Sequence, residues 1–303
     1  EVFWSPMTAR YYIGGYMSPA LNLLNNKNIV FIDAYVGPMS WPYEPIVAHE
    51  LQPLIHYDRD PDEEVWVDEG CADFAQFLCG YGHPIDQIAY YLVFHPFTSL
   101  TFWGVGLENY GASYLFILYL YEHYGGAGTI SSIVAEPANG IEGINNVLKA
   151  SRIHKDFDRI FQDWTVANYL DDTTFAHGIY GYKTLDIPSA DTGGLSIEFA
   201  LQAFWGVPPY EAYPISGPDG IGYIYGALQP YTAHYSRFAN GAPAINVRIH
   251  GTETTGLVQN NFKANIIQKV TLATKSYNTV RSMPIGQKTQ RGSAVIPMLQ
   301  TRI

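Results

Sequence analysis

Residues 48 to 56 read Ala48-His49-Glu50-Leu51-Gln52-Pro53-Leu54-Ile55-His56, and residues 66 to 74 read Trp66-Val67-Asp68-Glu69-Gly70-Cys71-Ala72-Asp73-Phe74. Both stretches sit in helical patterns. From Glu44 to Tyr57 the apolar residues Ile46, Val47, Leu51, Leu54 and Ile55 recur at three- and four-residue steps, and Pro45 suits a first turn. Val67 to Cys79 repeats the spacing through Cys71, Phe74, Ala75 and Leu78, and Gly80 ends it. The run Asp58-Arg59-Asp60-Pro61-Asp62-Glu63-Glu64 is the loop between these two helices. Glu69 and Asp73, one turn apart, share a face of the second helix.

A zinc peptidase needs neutral imidazoles and a carboxylate converging on the metal, and a second carboxylate to take a proton from the bound water. Two histidines four residues apart on a helix meet the first need, because they lie on one face a turn apart. Here His49 is followed by Glu50, but the residue four positions on is Pro53. Glu69, twenty residues after His49, can reach the same ion from the second helix.

The chain resembles the gluzincin metallopeptidases, in particular the secreted hyicolysin and immune-inhibitor-A type. The likeness takes in Gly15-Tyr16-Met17-Ser18-Pro19, the His-Glu helix, and the block from Trp66 through Gly82. It continues through Asn109-Tyr110-Gly111-Ala112, Phe161-Gln162-Asp163-Trp164 and Tyr169-Leu170-Asp171-Asp172. Pro230-Tyr231 through Tyr235-Ser236-Arg237-Phe238 is similar to the passage into a β domain in such proteins. The resemblance implies that His49 is the first zinc ligand, Glu50 the general base and Glu69 the carboxylate ligand. It implies further that Asp73 accepts a hydrogen bond from a ligand imidazole, fixing its tautomer, and that Tyr110 stabilises the developing oxyanion.

Pro53 departs from that pattern at a metal ligand. Proline has no donor for zinc, and it lacks the N–H that would bond the carbonyl of His49, a mid-helix penalty of about 3 kcal/mol or more. His56 is no substitute: it lies roughly 10 Å farther along the helix axis, too far to share one ion held at about 2 Å. Two protein ligands would bind zinc far more weakly than the usual three or four. The expectation is an impaired or inactive peptidase with weak or absent zinc.

Composition bounds the rest. The chain has 303 residues, 47% of them hydrophobic and only 15% charged, with 24 tyrosines; a sizeable core is expected, under a surface of neutral polar residues. Acidic residues outnumber basic ones 28 to 17, and no Lys/Arg cluster is present to attract phosphates, so nucleic acid is a poor partner. The longest apolar run, Ala112 to Tyr121, is half of the roughly 20 residues a membrane span needs and reads as a buried helix. The first residue, Glu1, suggests a trimmed leader, and with the low charge it points to secretion. Cys71 and Cys79 lie roughly 12 Å apart along one helix, beyond disulfide reach, and are expected as buried apolar residues. His56, His83, His95 and His123 have no partner at ligand spacing and are expected at the surface or in structural hydrogen bonds. The tyrosines of 110–124 and 223–235 are expected in core and interface.

The fold expected is α+β: a zincin-like, mainly helical domain over residues 1–189 with an N-terminal strand region, then a β-rich, sandwich-like domain over 190–303. Asn28 to Val36 is predicted as a strand before the Gly37-Pro38 turn, Tyr110 to Tyr124 and Asp156 to Leu170 as helices, and Ala244 to Ile249 as a strand by its alternation. Three functions fit this pattern. One is a non-catalytic descendant serving binding or assembly with protein partners at the cell exterior, self-association included. Another is an active zinc endopeptidase with a remodelled site, cleaving peptide or protein substrates. In the third, Pro53 is foreign to the native chain, which is then an ordinary secreted zinc peptidase.

Overall fold

In the computed structural model, which describes residues 2–4, 10–12, 14–33, 43–104, 106–187, 197, 230–233, 235, 244–250, 263–272, 275–284 and 291–297, short antiparallel strand pairs open the chain. β1 (Val2–Trp4) pairs with β2 (Arg10–Tyr12), and β3 (Gly15–Met17) pairs with β4 (Val30–Ile32) across an intervening helix, α1 (Pro19–Asn25). That helix starts where its sequence says it should. Ser18 caps it by accepting from Leu21 N–H at 3.4 Å, and Pro19 fills the first turn, where a missing N–H costs nothing. The expected strand of residues 28–36 is thus the shorter β4, and its expected turn at Gly37-Pro38 lies outside the described residues.

Among the described residues seven α-helices follow: α2 (Tyr43–Arg59), α3 (Val65–Leu78), α4 (Ile85–Phe94), α5 (Leu107–His123), α6 (Ala127–Val134), α7 (Gly140–Ala150) and α8 (Phe157–Leu170). The chain is therefore α+β and mainly helical, with small N-terminal strand pairs. The remaining strands are β5 (Ala244–His250), β6 (Lys263–Leu272), β7 (Lys275–Pro284) and β8 (Arg291–Pro297). They form two antiparallel pairs, β5 with β8 and β6 with β7.

The chain divides into two units. One comprises Glu1–Phe161, Tyr182–Asp186 and Leu228–His234; the other comprises Gln162–Gly181, Ile187–Ala227 and Tyr235–Ile303. In the second, the last two turns of α8 receive Tyr235 Oη at Thr165 O (2.7 Å) and Asn265 Nδ2 at Gln162 O (3.2 Å). Asp171 Oδ2 accepts from Ile187 N–H at 2.6 Å.

The first unit is organised around α5, which is buried on nearly every side from Gly111 to Leu120, as a helix that is apolar all round must be. Gly70 on α3 lets the two helices touch: a Cβ there would lie 2.9 Å from both Ile117 Cγ1 and Ser113 O. Gly111 does the same against the backbone of Gln87 on α4. Trp66, Phe116 and Phe157 close the core with ring centroids 5.1 to 6.0 Å apart, and burying side chains of this size stabilises the fold by roughly 2 to 3 kcal/mol each. Glu122, also buried, accepts from the backbone N–H groups of Lys183 (2.6 Å) and Thr184 (2.9 Å), which satisfies a carboxylate that burial would otherwise penalise.

Helix α2 inverts the usual rule. Its buried residues are Glu50 and His56, while Tyr43, Val47, Leu51 and Ile55 form an outward stripe, each 40 to 51% exposed. The three- and four-residue spacing marked the helix correctly, but the side turned to the protein is the polar one.

One expectation is corrected. Cys79 is exposed, because it caps the C-terminal end of α3, whereas Cys71 is buried; neither forms a disulfide. His56 is buried and takes a structural hydrogen bond to Asp68 Oδ1 at 2.9 Å, one of the two settings expected for it. Among the described residues no helix is long and apolar enough to cross a membrane.

Candidate functional site

The polar side of α2 meets α3 and the first turn of α5. His49 Nδ1 donates to Asp73 Oδ1 at 3.0 Å, and Nε2 faces Glu69 Oε2 at 3.2 Å. Asp73 is fully buried, and its Oδ1 also accepts from Gln76 Nε2 at 2.9 Å and, at the limit of a hydrogen bond, from Gln87 Nε2 at 3.4 Å. Asp73 is held from three directions, and it in turn fixes the ring plane of His49.

Glu50, next along α2, turns inward toward β3. Gly15 permits the approach, since a Cβ there would stand 3.0 Å from Glu50 Cγ and 2.8 Å from Ile46 Cγ2. The backbone N–H of Met17 donates to the Glu50 carboxylate. Tyr110 stands on the first turn of α5, its ring centroid 6.3 Å from that of His49, with Trp103 packed edge-on against it at 4.8 Å. Its hydroxyl bonds Glu69.

Every residue that the sequence nominated thus gathers at one place: His49, Glu50, Glu69, Asp73 and Tyr110. Electrostatically the cluster is acidic. Burial would by itself lower the His49 pKa, but hydrogen bonds to Asp73 and Glu69 and their charges hold it well above its ordinary 6.5. Burial is the main cause that raises Glu50 from its ordinary 4.5 to about 7; His49 pulls it back while Glu69 pushes it further. Burial, then the charges of Glu69, Asp73 and Glu50, pushes the Tyr110 hydroxyl far up. The surroundings thus favour the protonated form of His49 and the neutral form of Glu50.

These residues do not fit a peptidase zinc. His49 Nε2 and Glu69 supply two donors, and each already satisfies the other. Pro53 lies inside α2, which is continuous from Tyr43 to Arg59, and presents no third donor where a turn of helix would deliver one. A catalytic zinc uses three protein ligands and keeps a fourth position for water.

Three other histidines singled out in the sequence take structural contacts. His83 bonds Tyr114 Oη at 2.5 Å and Thr184 O at 2.7 Å, joining α5 to residues 183–184. His95 Nδ1 donates to Leu92 O at 2.9 Å. His123 packs against the ring of Tyr119 at 4.6 Å. Sequence reasoning missed the surroundings of His56; the signal it passed over was the spacing of His56, Asp60 and Glu63.

No protein-family model matches the chain, and no curated protein matches it either.

Proposed function

We propose that this chain is a secreted zinc-metallopeptidase-like protein of zincin type in which Pro53 has retired the peptidase site. Its fold, with a sandwich-like β-rich C-terminal part, serves binding or assembly with other protein chains at the cell exterior. One observation carries the proposal. His49, Glu50, Glu69, Asp73 and Tyr110 meet on α2, α3 and α5 as a hydrolytic metal site would require, yet the helix turn that should bring the next ligand brings a ring without a lone pair. The imidazole is spent on two carboxylates rather than on an ion. A chain with only 15% charged residues and with exposed Tyr16, Tyr43 and Tyr81 suits contact with other proteins.

One observation favours an active zinc-dependent endopeptidase instead: Glu50, raised to about 7, lies where a general base works best. The two are separated by Pro53→His, measured beside the unaltered chain for zinc content and for cleavage of casein. The variant should take up one equivalent of zinc more than the parent and gain chelator-sensitive cleavage. Chelator-sensitive cleavage by the parent chain, lost in both Glu50→Gln and His49→Ala, would overturn the proposal.

A further inference from the structure

The far end of α2 carries a second polar station laid out like the first. His56 follows His49 by seven residues, so it faces the same side of the helix roughly 10 Å farther on. It is 1% exposed, and its Nδ1 donates to Asp68 Oδ1 on α3 at 2.9 Å, as that of His49 does to Asp73. With Nδ1 committed as the donor, Nε2 carries the lone pair. At the first station Nε2 meets Glu69. At the second it is buried with no hydrogen-bond partner, and so is Asp60 Oδ2, one turn along the helix.

Carboxylates surround that lone pair. One ligand atom each from His56, Asp60 and Glu63 lies within 4.8 Å of the other two. Glu63 is held for the purpose: its Oε1 accepts from Glu64 N–H at 2.6 Å and from Gly140 N–H, at the start of α7, at 2.7 Å. Arg59, the chain neighbour of Asp60, has its Nε 3.9 Å from the exposed carboxylate of Asp58. The station thus offers a buried imidazole nitrogen without a partner, the buried carboxylate of Asp60 and the half-buried carboxylate of Glu63.

We propose that His56, Asp60 and Glu63 bind a divalent transition cation of the zinc class, with Asp68 as the positioning residue that orients the imidazole. The nitrogen donor decides the class, since imidazole suits zinc and its neighbours whereas calcium and magnesium take oxygen ligands. In a tetrahedral shell with bonds of about 2.0 to 2.2 Å the donors stand roughly 3.5 Å apart, so the ion draws the three inward by side-chain rotation. The ligands come from the end of α2 and the loop into α3, and Glu63 is tied to α7. The ion would therefore fasten a helix connection, a structural role independent of the fate of His49, because the two stations share no ligand.

The test is a calorimetric titration of the chelator-stripped full chain with zinc, with thermal unfolding followed in parallel. One zinc should bind and raise Tm. Asp60→Asn and Glu63→Gln should each weaken binding at least about tenfold, and Asp68→Asn by about ten- to a hundredfold. Glu63→Gln keeps the oxygen that accepts the two backbone N–H groups, so its metal-free far-ultraviolet spectrum should match the parent. In the cobalt-loaded protein, Asp68→Asn should shift the visible ligand-field bands, which a merely structural aspartate would leave alone. His49→Ala should bind zinc as the parent does. Absence of zinc binding, a response to calcium alone, or binding lost in His49→Ala and kept in Glu63→Gln would each overturn the proposal.

Discussion

Glu50→Gln should make the protein more stable at alkaline pH and flatten its dependence on pH. Glu50 is 8% exposed, its pKa stands at about 7 against an ordinary 4.5, and the first cause is burial. A carboxyl whose folded pKa is raised favours folding least when ionised: the folded state holds a proton that the unfolded state releases, so stability falls as pH rises from 4.5 through about 7. That displacement corresponds to roughly 3 kcal/mol between the protonated and ionised extremes. About 2 kcal/mol of it falls between about pH 5.5 and about pH 8.5. Glutamine matches the shape, keeps an oxygen for Met17 N–H and cannot ionise. Urea unfolding of both proteins at those two pH values therefore gives the result. The parent should lose about 2 kcal/mol more than the variant. His49, whose pKa is also raised, adds a fall of the same sign to both proteins, since its contribution is complete below 6.5 and lost through its folded pKa. Parallel stability curves for the two proteins would refute the account, because they would mean that the Glu50 carboxylate is as well solvated in the fold as outside it.

Asp73→Asn should bring the His49 pKa down, because the hydrogen bond from His49 to Asp73 is the largest of the contributions that raise it; titration of the imidazole proton resonance checks this, and an unmoved midpoint would contradict it. Gly70→Ala should destabilise the protein by about 1 to 3 kcal/mol, since its methyl would sit 2.9 Å from Ile117 Cγ1 and Ser113 O. The urea midpoint reports it, and an unchanged midpoint would show that α3 and α5 can part at no cost.

The helices that carry the site were legible because their apolar residues keep a 3.6-residue beat and their ends carry glycine and proline. Which side of α2 faces inward was not. Periodicity identifies a face, and only packing tells whether Tyr43, Val47, Leu51 and Ile55 or the Glu50 side is the buried one. Helix α6 escaped notice because Gly128, Thr129 and two isoleucines within eight residues are weak helix formers, held helical by burial of Ile130 and Ile133. In α7 the spacing of Ile144, Val147 and Leu148 was present, but Gly140 and Gly143 masked it. The cluster at His49 was readable from the motif, whereas the cluster at His56 spans a helix end and a loop. Asp60 lies a turn from His56, but Glu63 reaches it only because the chain bends after Arg59, and no periodicity reports a bend.

The retained residues around His49 have a use that does not depend on catalysis. Helix α2 contains a proline that costs about 3 kcal/mol in a helix interior, and it does not offset this by burying its apolar stripe, which faces outward. What fixes it in place is polar. His49 bonds Asp73 before the proline, His56 bonds Asp68 after it, and Glu50 takes the Met17 N–H of β3. The two histidine bonds pair residues in opposite chain order, which sets α2 antiparallel to α3 and clamps both sides of Pro53 to one partner. Removing His49 would leave buried Asp73 with only the amides of Gln76 and Gln87, and removing Asp73 would leave His49 with Glu69 alone, so each loss weakens the clamp without orphaning its partner. These side chains hold the helix whether or not an ion is bound beside them, so their presence next to Pro53 does not by itself require catalysis, and the retired site proposed above is compatible with their being kept for the fold.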